Sequence, residues 1–123
     1  MRHRREPRLR NGALILTHNQ LAFLQGLLDR PRGVARSRRD LVAAATPYVI
    51  HLRERSTGLR SGFSYSCLYK AVRNLPRALV TRRRAGNRIE FRMRARGRAI
   101  LEGRLPAHVL GLGPYTPRAA RRS

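Results

Sequence analysis

Between Arg88 and Arg94 the chain alternates without exception: Ile89, Phe91 and Met93 are apolar, while Arg88, Glu90, Arg92 and Arg94 are charged. A period of two belongs to a strand with one face on a core and the other in water. Upstream, Leu79-Val80 begins a partner strand and Ala85-Gly86-Asn87 supplies the turn, so the pair is predicted as a hairpin. A two-stranded ribbon is marginal alone in water, so its apolar face needs helices to cover it.

The rest of the chain offers them. Thr17 is placed to cap a helix to about Arg30, with Leu21, Phe23, Leu24, Leu27 and Leu28 at helical spacing and Pro31 behind it. Ser37 caps a second, with Asp40 in its first turn and Leu41, Val42 and Ala45 on the inner side. Pro47 is expected to break or kink it, with a short resumption over residues 48–55 and a glycine-containing loop over 56–62. A third helix is predicted from Ser64 to about Leu75, its stripe formed by Leu68, Ala71, Val72 and Leu75. A last one, about Ala95 to Leu105, buries Ile100 and Leu101. The expected class is mainly α with a small β-hairpin, an α+β domain over residues 13–105. Residues 1–12 read as a basic arm and 106–123 as a basic tail, although Val109, Leu110 and Leu112 suit either a core or an interface.

Charge narrows the partner. Lys and Arg number 28 against 6 acidic residues, a formal net charge of +22, and Lys70 is the single lysine. Such a chain repels itself and is expected to seek a polyanion. Guanidinium groups suit phosphate because they bind it bidentately. No apolar run approaches the length of a membrane span. The expected setting is therefore cytoplasmic and nucleoid-associated, with no membrane partner.

Catalysis is not expected. Glu6, Asp29, Asp40, Glu54, Glu90 and Glu102 are scattered, and His3, His18, His51 and His108 fall in no metal-ligand spacing. The lone Cys67 excludes an intramolecular disulfide and a thiolate zinc finger, and it reads as a structural thiol beside the apolar stripe. No cofactor and no metal is expected.

Helix, helix, helix, hairpin, helix is the order of a winged helix-turn-helix domain. Residues 64–75, Ser-Tyr-Ser-Cys-Leu-Tyr-Lys-Ala-Val-Arg-Asn-Leu, resemble the recognition helix of the PadR and MarR-like regulator families. Ala78-Leu79-Val80-Thr81-Arg82-Arg83 is similar to their entry into the wing, with alanine at the families' common glycine. Residues 91–101, Phe-Arg-Met-Arg-Ala-Arg-Gly-Arg-Ala-Ile-Leu, resemble their closing strand and helix. The resemblance spans about residues 17 to 103, and the connection over 46–63 is longer than usual. It implies that the third helix enters the major groove and that the hairpin lies on the backbone or reaches the minor groove.

The residue types fit that placement. Ser64, Tyr65 and Ser66 lie at a helix start, where hydroxyls and amides suit phosphate. Lys70, Arg73, Asn74 and Arg77 lie on or just past the polar side, with Arg73 and Asn74 expected to read bases and Tyr69 to flank them. Arg82, Arg83, Arg84 and Arg88 crowd the hairpin tip, and Arg38 and Arg39, with Arg36 beside them, suit backbone contacts. The reading that follows is a sequence-specific double-stranded DNA-binding transcriptional regulator, a repressor by promoter occupancy, with a homodimer as one option. The alternatives are a ribosomal or other RNA-binding protein and an architectural protein of a nucleoid or virus. Phe23, Phe91 and Phe63 are expected in the core, leaving Tyr65, Tyr69 and Tyr115 to contact nucleic acid.

Overall fold

The computed structural model describes residues 12–57 and 65–117. Strand β1 (Leu14–Leu16) leads into helix α1 (His18–Leu28), and a 3-10 turn (Pro31–Gly33) leads into the short strand β2 (Val34–Ala35). Helices α2 (Arg38–Thr57) and α3 (Tyr65–Val72) follow, then the hairpin strands β3 (Val80–Ala85) and β4 (Arg88–Met93). Helix α4 (Ala95–Leu101) and strands β5 (Ala107–Val109) and β6 (Gly113–Pro114) complete the described chain. It is a mixed α+β fold with four helices and two small sheets among the described residues.

Helix α1 starts where its cap allows. The Thr17 hydroxyl accepts from the Gln20 amide at 3.1 Å, and the Gln20 side chain accepts from the Thr17 amide at 2.9 Å. This reciprocal pair satisfies two otherwise orphaned donors. The helix ends at Leu28, slightly short of the expected Arg30, and Pro31 then forces the turn. Ser37 caps α2 as expected, its hydroxyl accepting from the Asp40 amide at 3.0 Å.

Pro47 does not end α2, which runs unbroken for 20 residues. The proline denies the Ala43 carbonyl its usual donor, a cost of about 3 kcal/mol in a helix interior. Apolar burial on both sides offsets it: Leu41, Val42 and Ala45 before Pro47, and Val49 and Leu52 after it, are all buried. Helices α1 and α2 also meet at backbone distance. A Cβ on Gly26 would lie 2.7 Å from the Ala44 carbonyl carbon, so only glycine permits this approach.

The hairpin follows the alternation read above. Its register pairs Ala85 with Arg88 around a two-residue loop, Gly86-Asn87, with Gly86 at φ 64°. Loops of this length need a residue that tolerates positive φ. Strand β2 adds to the other edge of β4, giving a three-stranded sheet in the order β2-β4-β3. Phe91 and Val80 turn inward onto Phe23, Leu24, Leu41 and Leu68 in one core, and no polar or charged residue is fully buried among the described residues.

The C-terminal region departs from expectation. Helix α4 stops at Leu101, not near Leu105. Residues 107–109 and 113–114, read above as part of a tail, form a second sheet in the order β1-β5-β6. There β5 runs parallel to β1, pairing Leu14 with Ala107 and Leu16 with Val109. Ala107 and Val109 are buried, because β1 presents Leu14 and Leu16 to the core and needs a partner strand. Among the described residues no helix is long and apolar enough to cross a membrane.

Candidate nucleic-acid interface

Helix α3 buries Leu68 and Val72 and turns the opposite side outward. Its exposed positions Ser66, Tyr69 and Lys70 fall at i, i+3 and i+4, and the exposed Arg73, in the turn that follows, comes at i+7 beside them. The helix is shorter than expected. After Val72, the Arg73, Asn74 and Leu75 amides each donate to a carbonyl three residues back, tightening the chain into a turn. Asn74 therefore sits beyond the helix, exposed, with its carbonyl accepting from the Gln20 side chain at 2.9 Å. Cys67, expected beside the core, is exposed on this same short helix. Its position one residue before Leu68 rotates it off the buried side.

Two elements remote from α3 in sequence converge beside its Tyr69. The start of α2 brings Ser37, Arg38 and Arg39, and the hairpin brings Arg82, Arg83, Arg84, Asn87, Arg88 and Ile89. Together they line an open groove of about 670 Å³ that holds no carboxylate among its lining residues. Tyr69 and Ile89 make part of it apolar, while the arginines supply the charge. Arg38 and Arg39 lie in the first turn of α2, where the helix dipole disfavours cations and favours an anion.

Arg82 has two duties in this arrangement. Its register partner is Phe91, so it leaves the hairpin on the inward side. There its Nη2 donates to the carbonyls of Val72, Arg73 and Leu75 at 2.8, 3.1 and 3.1 Å. These carbonyls lie where the α3 ladder runs out, with Val72 also accepting from the Leu75 amide at 3.3 Å, so one guanidinium caps the helix end and ties the hairpin to it. Burial lowers the Arg82 pKa from its ordinary value, and the charges of Arg77 and Arg38 lower it further. A guanidinium stays protonated in proteins, so Arg82 remains a cation in a crowded positive field.

A second concavity, about 440 Å³, adjoins the first through Arg82 and is lined by Arg77, Val80, Thr81, Arg82 and Arg94. The Arg94 Nη1 donates to the Arg77 carbonyl at 3.0 Å.

The structure thus brings Arg38, Arg39, Tyr69, Arg82, Arg83, Arg84 and Arg88 together, with Ser66, Lys70 and Arg73 on the adjoining stripe and Arg77 in the second concavity. Ser64 and Phe63 lie outside the described residues, and Tyr65 opens α3. Tyr115 lines neither concavity: it packs half-buried on the core, and its hydroxyl accepts from the Gln25 side chain at 3.3 Å. Sequence reasoning missed Ser37, Asn87 and Ile89 in the groove and Thr81 and Arg94 beside it. Arg94 carried a signal, as the last charged position of the alternating strand. Among the described residues no group of three His, Cys, Asp or Glu side chains is placed to hold a metal.

Comparison with protein-family models, curated proteins and solved structures found no match.

Proposed function

We propose that this chain is a winged-helix protein that binds duplex DNA and regulates transcription by occupying its site. The observation that carries the reading is the carboxylate-free groove, in which six arginines from α2 and the hairpin surround one exposed tyrosine of α3. An assembly of this sign is unfavourable by self-repulsion and favourable against phosphate. The short strand β2 between α1 and α2, pairing with the return strand of the hairpin, fits the winged-helix order. In this reading the stripe Ser66, Tyr69, Lys70 and Arg73 faces base edges, Asn74 flanks it, and the arginines of the groove hold the backbone. A single aromatic in the groove favours a duplex over unpaired bases, which are usually held by stacked aromatics.

Selection from a random duplex library at about 150 mM salt tests the reading. A converging motif is expected, lost in the double variant Arg73→Ala with Asn74→Ala while binding to bulk DNA persists. Six to ten phosphate contacts would make affinity fall by about 10³ to 10⁵ between 50 and 200 mM salt. Failure of any sequence to enrich would overturn the regulator and leave a structural RNA or DNA binder, which co-sedimentation with ribosomes would separate.

A further inference from the structure

We infer that the concavity formed by Arg77, Thr81 and Arg94 is a second phosphodiester site, continuing the nucleic-acid track past Arg82 along the edge of the hairpin. The inference rests on the proposed nucleic-acid binding and adds a contact that the groove alone does not supply.

Its chemistry is that of an oxyanion site. Arg77, Arg82 and Arg94 line the space together with Val80 and Thr81, and no carboxylate lines it. Thr81 is exposed, and its one O–H donates to the Arg92 carbonyl at 3.4 Å, a long bond that a phosphate oxygen would replace. Strand β3 is an edge strand, so this flank is open to a long polyanion.

Two of the three arginines are anchored from behind. Arg82 is held by the carbonyls that end α3, and Arg94 is held by the carbonyl of Arg77. A guanidinium has five donors in a rigid plane, and tethering one nitrogen orients the rest. Side chains ordered before binding lose less entropy on meeting an anion than mobile ones do. A merely solvated charged edge has no such anchoring.

Continuity gives the track its direction. Arg82 lines both concavities, and β3 from Arg84 back to Val80 covers about 13 Å at strand rise. Phosphates on one strand recur at about 3.4 Å along the duplex axis, so this length meets successive phosphates.

Duplex binding by the full chain as a function of salt tests the site. Thr81→Glu puts a carboxylate among the three arginines at an exposed position and leaves both backbone anchors in place. His51→Glu adds the same charge at an exposed position on α2, about 20 Å along the helix from Arg38. Thr81→Glu is expected to weaken binding by about five-fold or more at 0.15 M salt and to reduce the log–log salt slope by about 1. His51→Glu is expected to stay within about two-fold of wild type, since charge effects are screened over about 8 Å. Arg94→Gln should reproduce the lower slope, with its urea midpoint reporting any loss of fold. Equal behaviour of Thr81→Glu and His51→Glu, with wild type binding normally, would overturn this site and leave the proposed function standing. Wild type failing to bind any duplex would overturn both.

Discussion

His18 makes the stability of this fold depend on pH. It opens α1, and its Nε2 is buried without a hydrogen-bond partner among the described residues. Burial lowers its pKa below the ordinary 6.5, the charge of Arg53 lowers it further, and a hydrogen bond to the Leu110 backbone works the other way. The unfolded chain therefore takes up this proton more readily than the folded one, so stability rises with pH across the window between the two values. The contribution is complete above the ordinary value and is lost as pH falls through the depressed one. Urea midpoints measured from about pH 8 down to pH 5 should decline in the lower half of that range. His18→Gln, which keeps a donor for Leu110, should flatten that part of the decline.

At the scale of elements, the hairpin and α3 share a core, and the Arg82 side chain ties them together as well. Arg82→Ala would leave the carbonyls of Val72, Arg73 and Leu75 without their charged donor, a loss of about 2–3 kcal/mol. Arg83→Ala, one residue along and exposed, should leave the urea midpoint nearly unchanged. Equal loss in the two variants would mean that the capping contributes nothing. The hairpin was legible in the sequence because strict alternation records a two-sided environment. The double use of Arg82 was not, since nothing local distinguishes it from Arg83 or Arg84; only the register against Phe91 turns it inward. Pro47 misled for a related reason. A local rule about a missing amide was outweighed by burial of Val49 and Leu52, which depends on where α1 lies. The convergence of Arg38 and Arg39 with the hairpin was equally beyond a linear reading, although each cluster was visible separately.

The whole molecule carries a charge of +22, and the described carboxylates make only a few ion pairs, such as Asp40 with Arg30 at 2.9 Å. Self-repulsion on this scale opposes the compact state, and salt screens it. The midpoint of thermal unfolding, measured without nucleic acid, should therefore rise as sodium chloride increases from about 0.02 to 0.3 M. A midpoint independent of salt would mean that the arginines are already compensated within the fold. The sheet of β1, β5 and β6 lay outside the sequence reading because three-residue strands are too short to show a period, and a parallel partner is far away along the chain.

That remote pairing has a consequence for biosynthesis. A ribosome delivers Leu14 and Leu16 early and Ala107 and Val109 only after nearly all of the described chain. A translation product cut short before β5 therefore keeps an open strand edge beside uncovered leucines, a template for aggregation. Only a chain translated through β5 can close that edge, which makes the second sheet a late checkpoint against aggregation.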